Sequence, residues 1–125
     1  MFKLSGIKIG ILVVIVILAL LVLGLGYSSA RSLARDRHRL ADVQKIHDAL
    51  KVFFEENGYY PYGTGTGEPT GLADYLETWP SSPVSSHCPN TYTYSQKAQG
   101  NSYELTFCLD QGAAGWGAGI HKVKP

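Results

Sequence analysis

The sequence predicts an α+β protein: one long N-terminal helix, transmembrane and then amphipathic, packed on a small antiparallel sheet of three or four strands. Three observations predict it. Ile9 to Leu25 is an apolar run without a single charge. Between Gly26 and Gly58 there is neither glycine nor proline, and apolar residues recur at helical spacing. Beyond Tyr92, apolar and polar residues alternate in short stretches separated by glycine.

The first element is the apolar run. A helix rises ~1.5 Å per residue, so Ile9 to Leu25 covers roughly 26 Å. A bilayer core is ~30 Å thick. Lys8 reaches for one interface and Tyr27 sits at the other, which closes the difference. The run is apolar on every side, so lipid or a packed array of similar helices must cover it. Ile9, Ile11, Val14, Ile15, Leu18, Leu21, Val22 and Leu25 are the residues expected to meet the membrane or neighbouring helices. Two other readings compete. A secretory signal would be cut after Ala30, behind Ser28 and Ser29, although signal cores are usually only ~7 to 15 apolar residues. A leader cut on the cytoplasmic side would end at Gly6. The resulting organisation is a cytoplasmic tail at 1–8, a transmembrane helix at 9–27, its amphipathic continuation at 28–57 and a globular head at 58–125.

The continuation carries a stripe of Leu33, Leu40, Val43, Ile46, Leu50, Phe53 and Phe54, at steps of one, three, four and seven. Leu40, Val43, Ile46, Leu50, Phe53 and Phe54 are the expected seat of the head. Arg35, Asp36, Arg39, Asp42, Lys45 and Lys51 fall on other faces, with Asp42 and Lys45 spaced to pair. His38 and His47 point to different faces and are expected to be solvated. Asn57-Gly58 ends the helix, because glycine accepts the left-handed conformation there, and Pro61 prevents resumption.

Tyr59 to Pro83 reads as a loop rich in glycine and proline. Leu72 to Leu76 has room for a turn or two of helix, with Tyr75 and Trp79 packing on the long helix. Tyr92 to Tyr94 is a short strand, Gln99-Gly100-Asn101 a hairpin turn, and Tyr103 to Leu109 a strand with Tyr103, Leu105, Phe107 and Leu109 on its buried face. A last strand lies around Ile120 to Val123, after the glycine-rich stretch from Gly112 to Gly119, which reads as a flexible turn anchored by Trp116. Cys88 and Cys108 both lie in the head. An anchored domain with an even cysteine count points to an oxidising compartment and one disulfide.

Charge excludes one class of function. The chain carries +1 overall, with +3 in residues 1–57 and −2 in 58–125, so it is no basic nucleic-acid binder and no nucleic-acid partner is expected. Topology is contested by charge. Arg31, Arg35, Arg37 and Arg39 outnumber Lys3 and Lys8, and that count alone keeps the head inside. The cysteine pair argues the opposite and is given more weight. No nucleophile, base and acid come together in the pattern, so no enzyme is expected. Neither His87, Cys88, Cys108 and His121 nor the glycine-rich stretch has the spacing of a zinc finger or a phosphate loop. Tyr59, Tyr60, Tyr62, Tyr75, Tyr92, Tyr94 and Tyr103 are expected mostly as core or sheet aromatics, with a carbohydrate-binding face as the alternative.

Arg35 to Pro61, RDRHRLADVQKIHDALKVFFEENGYYP, resembles the type IV pilin and type II secretion pseudopilin superfamily, whose members carry a charged amphipathic helix ending in an asparagine-glycine-aromatic-proline step. Tyr75 to Pro80 and Thr91 to Leu109 are similar to its loop and sheet. The resemblance implies a lollipop-shaped, single-pass membrane subunit that joins copies of itself or other pilin-like subunits in a filament, with its head outside the cytoplasm. It also implies a calcium option, for which Asp74, Glu77, Asn90 and Asp110 would supply oxygens; otherwise no cofactor is expected. The chain departs from the family at its start. Ile7 and Lys8 follow Gly6, Ile11 stands where the family has an acid, and no acid precedes Asp36. The alternative is therefore a non-polymerising membrane protein with an extracytoplasmic binding domain.

Overall fold

The computed structural model describes residues 6–125, so Met1 to Ser5, including Lys3 of the expected tail, lie outside the described residues. The architecture is α+β, as the pattern predicts: α1 (Gly6–Asn57) and an antiparallel four-stranded sheet of β1 (Thr64–Gly65), β2 (Thr93–Lys97), β3 (Ser102–Ala113) and β4 (Trp116–Val123), in that spatial order. The chain divides into two compact units between Ser32 and Leu33.

The described residues of the first unit, 6–32, are all helix. It is long and apolar enough to cross a membrane, and none of its most apolar window is buried. Towards its end the Ser28 hydroxyl donates to the Leu25 carbonyl, and the Arg31 guanidinium lies over the Tyr27 ring at 5.4 Å.

The second unit is built around the rest of α1. Val43, Ile46, Leu50 and Phe53 are buried against Tyr92, Tyr94, Tyr103, Leu105, Phe107 and Leu109 of the sheet, with Leu72 closing one end. Leu40 and Phe54 pack on this core while remaining partly exposed. The stripe thus seats the sheet as the spacing predicts. The helix stops at Asn57 because Gly58 turns left-handed (φ 78°) and its N–H bonds back to the Phe54 carbonyl at 2.8 Å.

Two details differ from expectation, the first strand and the glycine-rich stretch. A two-residue strand, β1, pairs with β2 inside the region read as loop. Leu72–Asp74 makes one 3₁₀ turn, within the turn or two expected, Tyr75 meets Phe53 edge-on at 5.3 Å and Trp79 packs on the core. The glycine-rich stretch is mostly strand: Gly112 and Ala113 pair with Gly117 and Trp116, so only Ala114 and Gly115 turn the chain. One register shift between Leu109 and Gly112 marks a bulge in β3. Gly112 has φ 100°, and a Cβ there would stand 2.3 Å from the Trp116 carbonyl oxygen, so only glycine fits.

Candidate functional site

Two surfaces are candidates for function: the uncovered apolar helix of the first unit and the charged seat of the second. The first is simple. Ile9, Ile11, Val14, Ile15, Leu18, Leu21, Val22 and Leu25 are all between 51% and 73% exposed, so no described residue covers them.

The seat holds more than an apolar stripe. Asp36, Arg39 and Asp42, read as residues of other helix faces, are buried. The correction has a physical cause: the bulged part of β3 and the segment 82–85 fold over that face and supply partners. Asp36 accepts three successive backbone N–H groups, from Asp110 at 2.7 Å and from Gln111 and Gly112 at 2.9 Å each. The bulge releases these groups from the sheet ladder, and the carboxylate takes them up. Arg39 bonds Asp36 at 2.8 Å, Ser82 Oγ at 3.0 Å, the Pro83 carbonyl at 2.7 Å and Ser85 Oγ at 3.1 Å, and lies 3.2 Å from Asp110. Asp110 also accepts from Arg35 at 2.8 Å and from the Ser85 hydroxyl at 2.6 Å. Two arginines therefore face two carboxylates, and the cluster is neutral.

Electrostatics follow from this geometry. Burial opposes ionisation of Asp36, but the N–H groups of Gln111, Asp110 and Gly112, with Arg39, outweigh it and hold its carboxyl below the usual range. Burial likewise opposes ionisation of Asp110, and Ser85, Arg35 and Arg39 overcome it. Asp42 does not pair with Lys45; it accepts the Tyr92 hydroxyl at 2.8 Å and lies 3.4 Å from His38. Burial, then the Asp42 carboxylate, push the Tyr92 phenol well up, so it keeps its proton.

His47 is also corrected. It is half-buried, and its Nδ1 meets the Tyr103 hydroxyl at 2.5 Å, because Tyr103 reaches across the core to this side of the helix. Cys88 and Cys108 form a disulfide, so neither supplies a thiolate to a metal. Of the calcium candidates, Asp110 has both oxygens engaged within the cluster. Among the described residues no three histidine, cysteine or acidic side chains gather as a metal site. Of the tyrosines, Tyr60, Tyr92, Tyr94 and Tyr103 are core, whereas Tyr59 and Tyr62 are exposed.

A groove of about 270 Å³ opens beside the seat, lined by Leu40, Val43, Gln44 and His47 of α1 and by Phe107, Ala114, Trp116 and Val123 of the β3–β4 hairpin. Comparison with protein-family models, curated proteins and solved structures found no match to this chain.

Proposed function

We propose that this protein is a pilin-like or pseudopilin-like structural subunit, anchored in a membrane by α1 and assembling with copies of itself or other pilin-like subunits through the apolar part of that helix. One observation carries the reading: an apolar surface on every side of the helix from Ile9 to Leu25, exposed throughout. Such a surface requires cover, and lipid serves the unassembled protein while neighbouring helices serve the filament. The Cys88–Cys108 disulfide supports a head on the oxidising, extracytoplasmic side. No catalytic or cofactor role is part of the reading.

The test is a charge inside the run. With Ile15→Asp or Leu18→Asp, surface filaments recovered by shearing and seen by microscopy are expected to disappear while the head stays folded. Unchanged filaments would overturn the proposal. A second reading is favoured by the absence of any acid between Gly6 and Arg35. Helices without a polar group to fix their register suit lipid as well as a polymer, which leaves a single-pass membrane protein with an extracytoplasmic binding domain. Wild-type cells that yield no sheared filaments, with the intact chain in the membrane fraction, would select it.

A further inference from the structure

Arg31 is an exposed cation without a counter-ion. On a helix its partners would stand three or four residues away. Those positions hold Tyr27, Ser28, Ala34 and Arg35, none of them acidic. Among the described residues no ion pair includes Arg31. Arg35 and Arg39, by contrast, are neutralised by Asp110 and Asp36. What holds Arg31 is a ring: its guanidinium lies over Tyr27, 5.4 Å from the centroid. The ring fixes the cation and leaves its charge in place. The neighbouring Ser28 hydroxyl is engaged by the Leu25 carbonyl at 3.0 Å, so it does not compete for a ligand.

The stack also sets the depth of the charge. Helical side chains lean towards the N-terminus, and this one leans a full turn, to Tyr27. Tyr27 follows Leu25, the last residue of the apolar run, by two positions, about 3 Å of rise. The polar layer on each side of a bilayer is about 5–8 Å deep, since ~30 Å of hydrocarbon lies within ~40–45 Å overall. With Ile9 to Leu25 in hydrocarbon, the guanidinium lies inside that layer, at the level of the lipid phosphates. Its planar fork of N–H donors matches phosphate oxygens. Lipid charge then decides which headgroup fits best. A zwitterionic headgroup brings its own ammonium to its phosphate, whereas an anionic one leaves the phosphate as unpaired as Arg31 is.

We infer that Arg31, stacked on Tyr27, binds the phosphate of an anionic phospholipid in the leaflet at the Leu25 end of the run. The site rests on the membrane anchoring proposed above. It gives that anchor a lipid preference, about fivefold for one basic side chain near the surface.

The test uses the full-length chain in detergent micelles with equal amounts of phosphatidylglycerol and phosphatidylcholine of the same acyl chains. Native mass spectrometry counts the lipids retained. Phosphatidylglycerol is expected to be retained in preference, and Arg31→Gln is expected to cut that preference about fivefold. Tyr27→Leu, which removes the stack, should weaken it as well. Tyr27→Phe, which keeps the ring, and Arg37→Gln, which removes a charge outside the stack, should leave it unchanged. Excess glycerol phosphate, the same group without acyl chains, should not displace the lipid; displacement would assign the site to a free anion and overturn the inference. Parity in the wild-type chain, or a preference that survives Arg31→Gln or falls equally with Arg37→Gln, would also overturn it and leave the anchoring standing. A chain that retains neither lipid and stays in solution without detergent would remove both.

Discussion

Arg39→Met is the sharpest probe of the seat. The substitution keeps an unbranched apolar stem and removes the guanidinium, and with it the contacts to Asp36, Asp110, Ser82, Ser85 and the Pro83 carbonyl. Breaking a buried ion pair by removing one partner costs about 3–5 kcal/mol. Here both carboxylates keep other donors: Asp36 its three backbone N–H groups, Asp110 its bonds from Arg35 and Ser85. The expected loss is therefore at the low end, about 3 kcal/mol. In a unit of this size it lowers Tm by about 12–24 °C. The measurement is unfolding of the full-length protein in detergent micelles with the disulfide intact, followed by near-UV circular dichroism of the packed aromatics. Lys122→Met is the control, since the Lys122–Glu104 pair at 3.0 Å is exposed on the lysine side and should leave the midpoint where it is. A loss below about 1 kcal/mol for Arg39→Met, the value of a solvated pair, would refute the reasoning.

Other expectations use the same measurement. Leu50 is fully buried, and Leu50→Ala should cost about 3 kcal/mol through lost burial and the cavity left behind; a change under a third of that would mean the sheet does not rest on this stripe. Gly112→Ala combines a left-handed backbone with a Cβ driven into the Trp116 carbonyl, and should cost about 2 kcal/mol or more; an unshifted midpoint would remove the bulge geometry. Reducing Cys88–Cys108 frees a loop of 20 residues and should cost about 3 kcal/mol, with faster amide exchange near Cys88 and little change at Ile46 to Phe53. For pH, the folded carboxyls of Asp36 and Asp110 sit below their unfolded range, so the unfolded chain takes up protons first as pH falls. Their contribution is complete above the ordinary carboxylate value of ~3.9 and drains away as pH drops through the depressed folded values. A midpoint that rises on acidification through that window would contradict this.

The stripe was legible because burial of apolar side chains is a local, periodic signal. Leu40, Val43, Ile46, Leu50, Phe53 and Phe54 all meet the core, and Asn57-Gly58 ends the helix. The charged part of the seat was not legible, because the main-chain partners of Asp36 lie 74 to 76 residues away on a bulge that no periodicity announces, and those of Arg39 in the 82–85 segment lie 43 to 46 residues away. A charge on a helix reads as solvated unless the groups that satisfy it can be seen. The length of β4 was missed for a related reason: alternation is carried by side chains, and positions 117 and 119 have none. Gly112 was the available hint, a glycine flanking an alternating strand, where a bulge is a common cause.

The two charges of the buried pair are not equivalent, and the difference says what the cluster is for. Arg39 bonds mainly to side chains, which substitution can remove along with it, so a well-packed apolar replacement of the whole side-chain set need not destabilise the fold. Asp36 bonds to three main-chain N–H groups, and no substitution in β3 removes all of them. An apolar residue at 36 takes the acceptor from three part-buried N–H groups at once, and a donor left without a partner away from water is costly. The carboxylate is therefore the fixed member and the arginine its counter-ion. Apolar contacts along Leu40 to Phe54 tolerate small slippage, since burial is non-directional. Three short N–H bonds converging on one carboxylate do not, so Asp36 sets the register in which the bulged strand meets the helix, and the stripe supplies most of the energy that holds it there.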